Sequence, residues 1–95
     1  MGIIRDHIGT PAMLEQLAEE SAELAHAALK LARIIRNENP TPQNLFTATL
    51  NLTEEFTDVY QCAQELRLEP DAQQIKEKTF RFMNRWETTG RGELL

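Results

Sequence analysis

Two short stretches of the chain concentrate groups able to do chemistry. Ala18-Glu19-Glu20-Ser21-Ala22-Glu23-Leu24-Ala25 sets three carboxylates inside an alanine- and leucine-rich run. Leu52-Thr53-Glu54-Glu55-Phe56-Thr57-Asp58-Val59 repeats the arrangement. Glu20 and Glu23, and again Glu55 and Asp58, are three residues apart, which on a helix puts each pair on one side, a turn apart. Like charges at this spacing repel, costing about 0.2–0.5 kcal/mol per pair. A chain that bears that cost twice is built to meet a cation. Carboxylate oxygens suit a hard divalent ion, Mg²⁺ or Mn²⁺. A solvated acidic face explains either pair alone; alanine rather than lysine at neighbouring positions favours the metal reading.

The elements that carry these pairs are legible from periodicity. Leu14, Leu17, Ser21, Leu24, Ala28, Leu31 and Ile35 recur at alternating steps of three and four, a core-facing helical stripe. Thr10-Pro11 suits its start, as N-cap and first helical residue, and the helix is expected to run to about Arg36. Asn37-Glu38-Asn39-Pro40-Thr41-Pro42 breaks it. Leu45, Thr49, Leu52, Phe56, Val59, Ala63 and Leu66 mark a second long helix, about Pro42 to Leu66, with Thr41 as its cap. Pro70 opens a third helix, striped by Ile75, Thr79, Phe82 and Trp86 and stopped near Gly90. No two-residue alternation occurs, so the fold class is all-α, a single helical domain over residues 1–95. Residues 1–9 form a leader without a clear period, and 91–95 a tail, both expected to be flexible. A second stripe of small residues on the first helix, Ala18, Ala22, Ala25, Leu29 and Ala32, predicts close packing with partner chains that complete the bundle.

Turning about 100° per residue, Glu20 lies about 70° and Glu23 about 130° to one side of the first stripe. Glu55 and Asp58 lie at matching angles on the second. Antiparallel packing can therefore bring four carboxylates together at the edge of the core. Glu19 and Glu54 lie farther round and are weaker ligands. Lys78, Arg81 and Arg85 form a basic ridge within about a 60° arc of the third helix, suited to phosphate oxygens. Ion pairing or plain solvation is the alternative for that ridge.

Glu23-Leu24-Ala25-His26 has the Glu-x-x-His spacing of di-iron bundles, but the second segment carries Asp58 where the second such pair is needed. His26 points away from the apolar stripe and reads as a surface histidine. His7 sits in the leader with no assigned role. Cys62 lacks a histidine at catalytic spacing, which disfavours nucleophilic catalysis.

Bulk properties narrow the partners. Ninety-five residues with a formal charge of −5 do not make a general binder of nucleic-acid backbones. One cysteine forms no internal disulfide and fits a reducing cytoplasm. No signal peptide, myristoylation signal or membrane-spanning run is present. A chain this short buries only about 60–65% of its unfolded surface, so its own core is modest.

Glu19-Glu20-x-x-Glu23 followed by Glu55-x-x-Asp58 resembles the signature of the MazG-like all-α nucleoside triphosphate pyrophosphohydrolases. Leu14 to Leu24 resembles that family's first motif helix and Asn51 to Val59 its second, and the basic helix follows in place. The likeness covers most of Thr10 to Trp86. The interval between Glu23 and Glu55, with its Pro40/Pro42 loop, is longer than the family pattern. The resemblance implies Mg²⁺-dependent cleavage of a (deoxy)nucleoside triphosphate to the monophosphate and pyrophosphate in a homodimer or homotetramer. It implies Glu20, Glu23, Glu55 and Asp58 as metal ligands, and Glu19 as a further ligand or as orienter of the attacking water. Lys78, Arg81 and Arg85 would neutralise the triphosphate; the preferred base is not legible and would depend on residues outside the acid motifs, Ile3 to Met13 or Phe46 among them, and on the partner chain. The alternative from another class is a non-catalytic helical interaction module that retains the bundle.

Overall fold

The first long amphipathic stretch forms a 27-residue helix, and everything else is placed against it or leaves from it. The computed structural model describes residues 2–38 and 44–87. They form α1 (Ile3–Ile8), α2 (Thr10–Arg36), α3 (Leu45–Glu65) and α4 (Ala72–Arg85), with no strand among the described residues. The fold is an all-α bundle in which α2 and α3 pack as an antiparallel pair, and α1 lies across one end against both. No described helix is long and apolar enough to cross a membrane.

The helix ends follow local chemistry, with some shifts from the expected boundaries. α2 begins at Thr10 itself; Gly9 is its N-cap and makes no side-chain hydrogen bond. Gly9 has φ 92°, ψ 156°, a region open essentially to glycine alone, and this residue turns the chain between α1 and α2. α2 closes at Asn37 in the left-handed conformation, where Asn is tolerated, with the Glu38 N–H donating to the Arg33 carbonyl. The expected Thr41/Pro42 opening of the second helix lies outside the described residues. Asn44 caps α3 instead, its Oδ1 accepting from the Thr47 N–H at 2.8 Å. α4 begins at Ala72, two residues after Pro70, the residue expected in its first turn; Asp71 caps it by accepting from the Gln74 N–H at 3.0 Å. The expected stop near Gly90 and the tail 91–95 also lie outside the described residues.

The leader region, which carried no readable period, contains α1. Its placement depends on a partner sixty positions away: the Arg5 N–H donates to Glu65 Oε1 at 3.0 Å. Glu65, only 9% exposed, thereby satisfies a helix N-terminal donor that has no partner within α1. α1 and the start of α2 cover Met13, which is 1% exposed and the largest fully buried side chain.

The packing faces differ from the expected ones. α2 turns Met13, Gln16, Leu17, Glu20, Leu24, Ala27, Leu31 and Ile34 inward, while Leu14, Ser21, Ala28 and Ile35 stay exposed. α3 turns Ala48, Asn51, Glu55, Asp58, Cys62 and Glu65 inward, half-buries Leu52, Val59 and Ala63 of the expected stripe, and leaves Leu45, Thr49 and Phe56 out. Each contact face is rotated about 60–70° from the apolar stripe, towards the carboxylates. The physical reason is that period gives the direction of a stripe, not the neighbour it meets. Two helices bury only one flank of each stripe, and the other flank needs a further layer. The small-residue stripe of α2 also stays open apart from half-buried Ala32.

Candidate metal centre

The rotation puts the acidic residues into the α2–α3 seam. Glu20 from α2 and Glu55 and Asp58 from α3 each bring a carboxylate oxygen to within 4.8 Å of the others, all three half-buried. Their spacing follows from one helical turn between Glu55 and Asp58 and from the antiparallel register that sets Glu20 opposite them. Gln16, one turn before Glu20, donates from Nε2 to Glu20 Oε2 at 2.9 Å and holds that carboxylate in the seam.

The electrostatics of the seam follow from this crowding of carboxylates. Glu55 is pushed up from the ordinary carboxylate range, first by loss of solvent and then by Asp58, Glu23, Glu20 and Glu54. A group so placed is relieved by a proton or by a cation. The donor set is entirely carboxylate oxygen, which fits Mg²⁺ or Mn²⁺ better than softer ions.

Sequence-predicted residues fall in three places. Glu20, Glu55 and Asp58 converge. Glu23 lies beyond that trio, close enough to act on Glu55, in a recess of about 200 Å³ that it shares with His26, Lys30, Ala48 and Asn51. Glu19 is exposed on α2. Lys78, Arg81 and Arg85 lie on α4, which makes no close backbone approach to α1, α2 or α3. His26 is exposed, and His7 Nδ1 lies 3.1 Å from the Ile3 carbonyl of its own helix.

The site has parts that periodicity did not reveal. A cavity of about 330 Å³ opens beside the carboxylates, lined by Ile4, Ile8, Met13, Gln16, Glu20, Asp58, Gln61 and Cys62. Half of its wall comes from α1 and the start of α2, a stretch in which periodicity marked no helix before Thr10. Cys62 is buried, and its thiol is pushed up by loss of solvent and by Glu20, Asp58 and Glu65. It is therefore held as a neutral thiol, not an activated nucleophile. The sequence signal that could have found it is its place one turn beyond Asp58 on the same flank.

No family model matches the chain, and no curated protein or solved structure is significantly similar to it.

Proposed function

We propose that the chain is a Mg²⁺-dependent nucleoside triphosphate pyrophosphohydrolase, able to use Mn²⁺, that cleaves a (deoxy)nucleoside triphosphate to the monophosphate and pyrophosphate. The observation that carries this reading is the convergence of Glu20, Glu55 and Asp58, from two separate acidic motifs, beside a cavity with apolar walls. Like charges gathered in a half-buried seam destabilise the fold unless a cation meets them, and the MazG-like resemblance supplies the chemistry for that cation.

In this reading Glu20, Glu55 and Asp58 hold the metal, and Glu23 completes the set from the next turn of α2. Bound there, the metal offsets the charge of the triphosphate and makes water a better nucleophile at neutral pH. Gln16 fixes the Glu20 carboxylate. Glu19, on the solvent side of the same turn, orients the attacking water. Lys78, Arg81 and Arg85 meet the phosphate oxygens. The cavity walled by Ile4, Ile8 and Met13 takes the base, with the Gln16 and Gln61 amides at its polar side. We place the reaction in the cytoplasm, where a lone thiol stays reduced, and in a homodimer or homotetramer.

Pyrophosphate release measured over a panel of nucleoside triphosphates, with and without Mg²⁺, tests the proposal. Metal-dependent release from at least one nucleotide is expected, with a loss of about 10²-fold or more in Glu20→Gln. No release from any of them, with Mn²⁺ binding by Glu20→Gln equal to wild type, sinks it. The open apolar flanks of the helices favour a second reading, the non-catalytic interaction module. That module has no use for three converging carboxylates, and the same assay separates the two.

A further inference from the structure

The carboxylates of the seam stand between two openings of different character. On one side lies the cavity of about 330 Å³ walled by Ile4, Ile8 and Met13, which also touches Glu20 and Asp58. On the other lies the recess of about 200 Å³, bounded by Glu23 and Glu55 and reaching on to His26, Lys30 and Asn51. Glu20, Glu55 and Asp58 form one cluster. The seam therefore runs from an apolar end, through the acidic trio, to a polar end.

The polar end follows from helical register. Glu23, His26 and Lys30 are spaced i, i+3 and i+7, which sets them within about 60° of arc on α2. Ala48, Asn51 and Glu55 repeat that spacing on α3. Alanine stands at positions 27 and 48, where the two helices meet, and Ala48 is only 2% exposed. Larger side chains at these two places would fill the recess. Lys30 lies about 10 Å along the helix axis from Glu23, so the space between them is two turns long.

The charges of the recess are mixed. Lys30 is the one lysine or arginine that lines either opening. α3 has none at all, and Arg33 and Arg36 of α2 lie beyond the recess. Lys30 makes no ion pair among the described residues, although Glu23 and Glu55 border the same recess. Its ammonium is thus placed near the carboxylates without closing on any of them. His26 adds a ring N–H and Asn51 a side-chain amide. Three donors do not make a second cation site. They suit an anion whose other end is held at the acids.

We propose that the recess holds the terminal phosphates of the substrate, with Lys30 as their cation and His26 and Asn51 as hydrogen-bond donors. This assignment rests on the pyrophosphohydrolase reading and gives the substrate a direction: base against α1, terminal phosphates towards the middle of α2. A single divalent ion is outweighed by Glu20, Glu23, Glu55 and Asp58 before any phosphate arrives. A cation on the same pair of helices offsets the far end of the triphosphate, and Lys30 supplies it without any contribution from α4. Its compact ammonium on a flexible stem suits a terminal phosphate group. Lys30 then selects by phosphate number, because a single phosphate stops at the acidic trio and does not reach it.

The test is calorimetric titration of inorganic tripolyphosphate into the full-length chain at saturating Mn²⁺. Lys30→Ala should weaken that binding about 10-fold or more, without reducing the affinity for Mn²⁺ alone or for a nucleoside monophosphate. Lys30→Arg should recover most of the loss. Lys30 is exposed, so its replacement should leave the helical circular dichroism unchanged. Arg33→Ala removes the same charge from α2 outside the recess and should bind tripolyphosphate as wild type does. With nucleotides, Lys30→Ala should raise KM for the triphosphate more than it lowers kcat. Tripolyphosphate binding by Lys30→Ala equal to wild type overturns the proposal. Equal losses in Lys30→Ala and Arg33→Ala overturn it too, because net charge alone then acts. A wild type that takes up no tripolyphosphate, with or without Mn²⁺, has no such subsite. Pyrophosphate release with an unchanged KM in Lys30→Ala removes the subsite and keeps the enzymatic reading. Tripolyphosphate held through Lys30, with no release from any nucleotide, removes the enzymatic reading and keeps the subsite.

Discussion

At the scale of single residues, Glu55 is held where its surroundings disfavour its charge. Its carboxyl binds a proton more tightly folded than unfolded, because burial, Asp58, Glu23, Glu20 and Glu54 all disfavour its charge. A raised carboxylate contributes stability that is complete at low pH and is lost as pH rises through its folded value. Without metal, the melting temperature should therefore fall as pH climbs out of the acid range, and Glu55→Gln should flatten that part of the profile. Scanning calorimetry across pH checks this. Metal affinity should run the other way, rising with pH as the ligand loses its proton. At neutral pH Glu55→Gln should be the more stable protein without metal, and Mg²⁺ should stabilise wild type but not the variant. Cys62 supplies a second check. Burial and neighbouring carboxylates keep its thiol protonated, so alkylation at neutral pH should be far slower in the native protein than after unfolding.

At the scale of elements, the helix ends were only partly legible, because capping depends on which of several competent side chains the backbone reaches. Thr10 has cap chemistry, yet Gly9 occupies that position of α2, and Asn44 and Asp71 are the residues that cap α3 and α4. Asn44→Ala and Asp71→Ala should each cost about 1 kcal/mol of helix stability, read for Asp71 as lost helicity confined to α4. α1 could not be read from period, since six residues give less than two turns. Its position depends on Glu65, whose helical neighbours suggest nothing about a bond to Arg5. Glu65→Ala leaves the Arg5 N–H without its partner and should cost about 1–3 kcal/mol. Faster hydrogen exchange over residues 3–8 would separate loss of α1 docking from a general destabilisation. Met13→Ala should cost about 2–5 kcal/mol by truncating the largest fully buried side chain among the described residues.

At the scale of the whole molecule, 95 residues do not close a core around helices of this length. Leu14, Ile35, Phe56 and Phe82 remain open although each belongs to a regular apolar stripe. Light scattering should give a mass of at least two chains. Phe56→Glu should weaken that assembly, because it sets a charge on an open apolar flank.

Sequence alone determined the all-α class, the three long helices and the acidic pairs, because these depend on local period and on residue type at fixed spacing. The stripe angles also placed Glu20, Glu55 and Asp58 on facing flanks. Tertiary structure decided what local period does not contain. It turned each helix towards its carboxylates, gathered three of them in the seam with Glu23 one turn away, and added the α1 wall of the cavity. It also held α4, with Lys78 and Arg81, off its own chain. Periodicity states that a face is apolar; only packing in three dimensions states which surface covers it.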